Sequence, residues 1–188
     1  AETVEVLLVD GNSNLRVRLL TTIYADRPIV TRSMRVSNDG SGDVKLTTAM
    51  SATLDLPDPD WHLLQLTGAW ARETHVVDAP LLPGTRAVRS QRGSSGHQQN
   101  PFILLRRPWT TEATGEAIGL SLVYSGNFLA QVEVDPYDTA RARIGFAPEP
   151  IRWQITPGMD LQIPEAVLAW SDDGIGGVAD RPTGGEQR

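Results

Sequence analysis

From Val4 to Trp170 the apolar residues of this chain fall at every second position in short runs, and nowhere does the i, i+3, i+4, i+7 recurrence of an amphipathic helix persist. Side chains with that period point alternately to the two faces of a strand, so the chain can bury them only by stacking sheet on sheet. Val4, Val6 and Leu8 and the later run Leu15-Arg16-Val17-Arg18-Leu19 flank Asp10-Gly11-Asn12, which predicts a hairpin. Beyond Pro28, Val30, Arg32, Met34 and Val36 share one face, and Asn38-Asp39-Gly40-Ser41-Gly42 turns the chain toward an extended run over 44–56. The corner Pro57-Asp58-Pro59-Asp60 ends that run, because neither proline can donate to a ladder. Two strands follow at 62–66 and 69–77, joined at Thr67-Gly68. Others are expected at 86–90, 102–105, 117–124, 129–134, 140–146, 151–155 and 161–170. The prediction is an all-β fold, one large antiparallel β-sandwich over residues 1–171. From Ser171 onward only Ile175 and Val178 are large and apolar, so residues 172–188 are expected to form a flexible tail.

Length and charge narrow the function. A chain of 188 residues, 40% hydrophobic, suffices for one domain with a real core. Its net charge of −6 lacks the basic footprint of a nucleic-acid binder, and neither nucleic acid nor anionic membrane is an expected partner. With no cysteine, disulfides, thiolate metal sites and cysteine nucleophiles are excluded, and a reducing cytoplasm fits. No apolar run approaches the ~20 residues that span a bilayer, and the N-terminus lacks the pattern of a signal peptide. His62, His75 and His97 each stand alone, and no phosphate-loop pattern precedes a helix, so no metal or cofactor is expected.

Between Arg89 and Pro101 there is no large apolar side chain, yet strands are expected on both sides. A loop holding His97, the amides Gln98, Gln99 and Asn100, and Arg89 and Arg92 has the chemistry of recognition. An imidazole titrates near neutral pH, so His97 could act as a general base, although structural or interface hydrogen bonds within its loop are the preferred reading. Arg89 and Arg92 could clamp a carboxylate or tie the loop down through their forked donors, and the second is preferred. Asn100 is read as a turn former and Phe102 as a core anchor. Asp55, Asp58, Asp60, Glu73, Glu112, Glu116, Glu133 and Asp135 could supply the carboxylate pair of a glycosidase, but they read chiefly as surface or turn carboxylates. Trp153 and Trp170 lie in alternating strands and are expected in the core. Trp61 and Trp109, in Pro-flanked loops, are expected to be exposed, as a sugar platform or an interface.

Five blocks carry a resemblance. Leu54-Asp55-Leu56-Pro57-Asp58 with Trp61, Leu66-Thr67-Gly68-Ala69-Trp70-Ala71-Arg72-Glu73, the run from Arg92 to Phe102, Tyr124-Ser125-Gly126-Asn127-Phe128, and Pro157-Gly158 before Pro164-Glu165 resemble the N-terminal domain of glycoside hydrolase family 36 α-galactosidases. The resemblance implies a β-supersandwich of galactose-mutarotase type. It also implies retaining hydrolysis of terminal α-galactosides, such as melibiose and raffinose, by two aspartates on a following (β/α)8 barrel outside the matched region. This chain alone is then expected to be inactive, with its own catalytic barrel, a homo-oligomer and, through the barrel, a galactoside as partners. The family has further strands ahead of Ala1, so the sandwich is expected to be incomplete on its N-terminal side, a piece of something longer. Family loops also carry a second His near Gln98 or Gln99, which weakens a catalytic role for His97. Trp61, Trp70, Arg72, Arg92, His97, Gln98, Asn100 and Trp109 are the candidates for a substrate rim or domain interface. Two other readings remain: a free-standing carbohydrate-binding module using Trp61, Trp109 and the amides around His97, and a small mutarotase-type enzyme with His97 as base.

Overall fold

A computed structural model describes residues 1–147 and 153–179. The strands are β1 (Glu2–Val9), β2 (Leu15–Ile23), β3 (Ile29–Asn38), β4 (Val44–Leu46), β5 (Ala49–Leu56), β6 (His62–Ala69) and β7 (Arg72–Pro80). There follow β8 (Gly84–Ser90), β9 (Gln99–Arg106), β10 (Ala117–Leu122), β11 (Phe128–Val134), β12 (Ala140–Phe146), β13 (Trp153–Ile155) and β14 (Asp160–Ser171), then a short helix α1 (Gly174–Ala179). A large sheet of eight strands runs in the order β1-β2-β3-β14-β10-β9-β6-β7, a small sheet in the order β5-β12-β11-β8, and β13 and β4 form a separate ribbon. All named pairings are antiparallel. The fold is the all-β sandwich expected.

Period-two alternation is realised most cleanly in the small sheet. Phe128, Ala130, Val132 and Val134 of β11 and Ala140, Ala142 and Ile144 of β12 are buried, while Gln131, Glu133, Arg141 and Arg143 between them reach outward. These inward residues meet Leu63, Ile103, Leu105 and Leu120 of the large sheet and form the main core. A second core under the ribbon joins Val36, Phe146, Ile155 and Ile163. Asn38, fully buried, fixes that ribbon: its amide donates to the carbonyls of Gly42 and Ile155, each at 2.8 Å, and its Oδ1 accepts from Gly40 N at 3.0 Å.

Three expectations are corrected. The run 44–56 is two strands, because the chain leaves the ribbon after Leu46 and enters the small sheet at Ala49. The hairpin after β6 turns at Trp70-Ala71, where Ala71 takes a φ of 61°, and not at Thr67-Gly68. Gly68 lies instead in a bulged strand where a Cβ would sit 2.8 Å from the His97 carbonyl, so its small size serves close packing. Lastly, the chain past Ser171 is not a structureless tail as far as Ala179. Ile175 N donates to Thr111 O and Gly176 N to Glu112 O, and Val178 packs over Gly119, with Ile175 and Val178 joining Leu64 and Leu104 in a third cluster. Residues 180–188 of the expected tail, and 151–152 of the strand expected at 151–155, lie outside the described residues.

Candidate functional site

The chain between β8 and β9 carries the polar loop, and it is pinned by groups other than its arginines. Ser90 Oγ donates to Ser94 O at 2.6 Å, Gly93 N to Asn127 Oδ1 at 2.7 Å, and Ser95 N to Ser125 O at 2.7 Å. Arg89, Arg92, His97 and Gln98 make no side-chain hydrogen bond to any described residue, so the expectation that Arg89 and Arg92 tie the loop down is corrected. Their long side chains point into solvent, and the short Ser and Asn groups close the loop instead. Asn100 is not a turn former: it lies within β9, half-buried, and the local turn is made by Gln99 N donating to Gly96 O. Phe102 packs in the third cluster, as expected of an anchor.

The loop has a neighbour. Thr67 pairs with Gln99, and Gly68 lies under the His97 carbonyl, so the tip of the β6–β7 hairpin is held beside the loop. Trp70 and Arg72 belong to that tip, and Trp70 is 87% exposed. Trp70, Arg72, Arg92, His97, Gln98 and Asn100 are therefore grouped at one end of the molecule, with an array of donors and acceptors that nothing in the described chain uses. Gln99 Oε1, buried and without a partner, adds an acceptor beneath them.

Trp61 and Trp109 are at the other end. Trp61 precedes β6 and Trp70 follows it, so an eight-residue strand, roughly 25 Å long, separates them. Trp61 is buried, not exposed as expected: Leu81 N donates to its carbonyl at 2.8 Å, and Arg107 lies 3.9 Å above its ring. That guanidinium also donates to Asp58 at 2.6 Å, to Glu116 at 3.1 Å and to Asp60 O at 3.2 Å. Its bond to Asp58 holds the Asp58 carboxyl below its ordinary range and pushes Arg107 higher still. Trp109 is 64% exposed, as expected. Trp170, expected in the core, is partly exposed and donates its indole N–H to Glu116 at 3.2 Å. Trp153 is likewise partly exposed, edge-on to Phe146 at 5.8 Å. Both corrections share a cause: the outer face of each strand alternates toward water, and a half-covered indole satisfies either environment.

The carboxylates read as surface and turn groups behave so. Asp55 pairs with Arg141 and Glu133 with Arg143, while Asp135 accepts from Thr139 and from the backbone of its own turn. Asp55 and Asp135 are held below the ordinary carboxylate range, Asp55 by the Arg141 bond and Asp135 by the Thr139 hydroxyl. Sequence reasoning missed Arg107 and the triad of His62, Asp78 and Arg106, in which Arg106 Nε donates to Asp78 at 2.7 Å. The available signal was the Arg106-Arg107 pair closing a strand of apolar residues. Among the described residues no helix is long and apolar enough to cross a membrane.

Comparison with known proteins gives the chain its family and fold relatives. The family model described as Glycosyl hydrolase family 36 N-terminal domain matches residues 1–156. Alpha-galactosidase AgaA of Geobacillus stearothermophilus is 44% identical over 95% of this chain, and alpha-galactosidase 2 of Pediococcus pentosaceus 40% over 94%. The crystal structure of AgaA superposes on 94% of this chain with a TM-score of 0.91. A putative aldose 1-epimerase of Escherichia coli K12, 16% identical over 90% of this chain with a TM-score of 0.56, shares the fold. The chain spans about a quarter of the length of the curated relatives it matches, 25% of each of these two galactosidases.

Proposed function

Because the chain belongs to the glycosyl hydrolase family 36 N-terminal domain family, we propose that it is the non-catalytic β-sandwich of an α-galactosidase that cleaves terminal non-reducing α-D-galactosides. The single observation that carries this is the match over residues 1–156 together with 44% identity to AgaA, a protein crystallised with raffinose and stachyose. In this reading the sandwich supports a (β/α)8 catalytic domain and the homo-oligomer, and melibiose and raffinose are substrates of the whole enzyme, which works in the cytoplasm. Trp70, Arg72, Arg92, His97, Gln98 and Asn100 face the catalytic domain or the rim of its site, with Trp109 as a separate contact. Trp61 leaves the set of rim candidates because it is buried.

The test is a chimera in which this chain replaces the matching quarter of AgaA. The chimera is expected to hydrolyse p-nitrophenyl α-galactopyranoside, and the chain by itself is not. Turnover by the isolated chain, or a folded chimera without turnover, overturns the reading. Calorimetric heat on adding millimolar galactose or raffinose to the isolated chain would favour the carbohydrate-binding module.

A further inference from the structure

The polar loop between β8 and β9 folds back on itself, and its limbs wall an open cleft of about 520 Å³ whose lining includes Arg89, Arg92, Ser94, His97, Gln98 and Gln99. That volume falls within the ~300–1,000 Å³ of small-molecule sites. The walls are already fixed. Ser90 Oγ donates to Ser94 O, Gly93 N to Asn127 Oδ1 and Ser95 N to Ser125 O, and Gln99 N turns back to Gly96 O at 3.1 Å. Short side chains and backbone therefore hold the loop, and the long side chains that line the cleft are left with no structural bond to make. A ligand meeting them would find the site formed in advance.

Two features of the lining define what fits. The first is charge. No carboxylate lines the cleft, and the ion pairs among the described residues leave out both Arg89 and Arg92. Glu73, on the neighbouring hairpin tip, accepts from Ala71 N at 3.0 Å. Two unneutralised guanidiniums lining one cleft, in a chain of net charge −6, make a local site for an anion, and their planar forks match the paired oxygens of a carboxylate or phosphate. The second is an acceptor: Gln99 Oε1 is buried and has no partner. An amide oxygen takes only a donor, which a bare anion lacks and a hydroxyl supplies, and leaving it unmet is costly.

We propose that the cleft binds a small hydroxylated anion, of the class of sugar acids and sugar phosphates, with its anionic group between Arg89 and Arg92 and a hydroxyl donating to Gln99. A neutral sugar leaves the guanidiniums unpaired, and a simple anion leaves the Gln99 oxygen unpaired, so the ligand needs both kinds of group. This inference rests on the chain's own loop and stands independently of the proposed enzyme. Its test uses the chain alone, so its failure leaves the result of the chimera untouched.

Calorimetry of the full chain is expected to give a Kd of about 1 mM or tighter for D-galacturonate or D-galactose 6-phosphate, with much weaker binding of galactose, acetate and inorganic phosphate. Heat with either acidic sugar supports the site, and the tighter of the two names the anionic group. Arg89→Gln and Arg92→Gln, both at exposed positions, are each expected to weaken binding about tenfold, whereas Arg18→Gln, on β2, leaves it unchanged. Gln99→Met is expected to reduce the advantage of galacturonate over acetate. Should that variant disturb β9, as read by circular dichroism, the comparison of galacturonate with acetate on the natural chain decides the same point. Absence of heat with both acidic sugars, equal binding of galacturonate and acetate, or unchanged affinity in both arginine variants overturns the proposal.

Discussion

At Arg107 one side chain serves two partners of different kinds. Its guanidinium covers the face of Trp61 and at the same time forks to Asp58 and Glu116, and its side chain is only 17% exposed. Arg107→Met keeps much of the stem's packing but leaves both carboxylates unpaired, and is expected to cost about 1–3 kcal/mol in urea unfolding. Arg107→Lys, which retains charge but not the fork, should fall between it and the natural chain. The same bond sets an acid dependence. Asp58 has a folded-state pKa below its ordinary unfolded value of 3.8, so its stabilisation is fully present above that value and is lost as pH falls through the lower folded one. Asp55 and Asp135 act with the same sign. Stability is therefore expected to drop below about pH 4, with a shallower slope in Arg107→Met; an unchanged slope would show that Asp58 contributes nothing. None of this was readable locally. Trp61 follows a proline-rich corner that looks like an exposed loop, and residues distant in sequence, the main core together with Leu81 and Arg107, make it interior.

At the scale of elements, alternation made most of the fold legible, and its exceptions have causes. Ile103, Leu104 and Leu105 are all buried because α1 covers the outer face of β9 and β10 with Ile175 and Val178. Nothing in Gly174-Ile175-Gly176-Gly177 announces that helix, since glycine is a poor helix former and the helix is held by the loop at Thr111 and Glu112. Val178→Ser is accordingly expected to lower stability by about 1 kcal/mol, where a free tail would show no change. The hairpin tip and polar loop give a sharper contrast. At Gly68 an added Cβ would meet Arg72 O at 2.5 Å, His97 O at 2.8 Å and Glu73 Cα at 2.9 Å, all backbone, whereas at Gly96 it would meet nothing within 4 Å. Gly68→Ala should cost about 1–3 kcal/mol and expose residues 91–98 to limited proteolysis, with Gly96→Ala near neutral. Similar proteolysis of both variants would mean that the hairpin tip does not support the loop.

Across the whole molecule the two ends of β6 differ in how fully their polar groups are used. At the Trp61 end, Arg106 and Arg107 are matched by Asp78, Asp58 and Glu116, and their bonds close within the chain. At the Trp70 end, Arg72, Arg92, His97 and Gln98 are exposed and have no hydrogen-bonding partner among the described residues. The sequence blocks from Leu66 to Glu73 and from Arg92 to Phe102 carried the resemblance and marked this end. They could not show that Trp61 and Trp70, close in sequence, face opposite ways along one strand. Unused hydrogen-bonding capacity beside an exposed indole fits a surface met by the rest of a larger enzyme. Trp70→Ala is thus expected to change the unfolding free energy of the isolated chain by less than about 0.5 kcal/mol, because an exposed side chain loses little on truncation. In the chimera with AgaA the same substitution should lower the melting temperature or the galactosidase activity measurably. Equal, small effects in both settings would remove this end from the interface, and a large effect in the isolated chain would make Trp70 a structural residue.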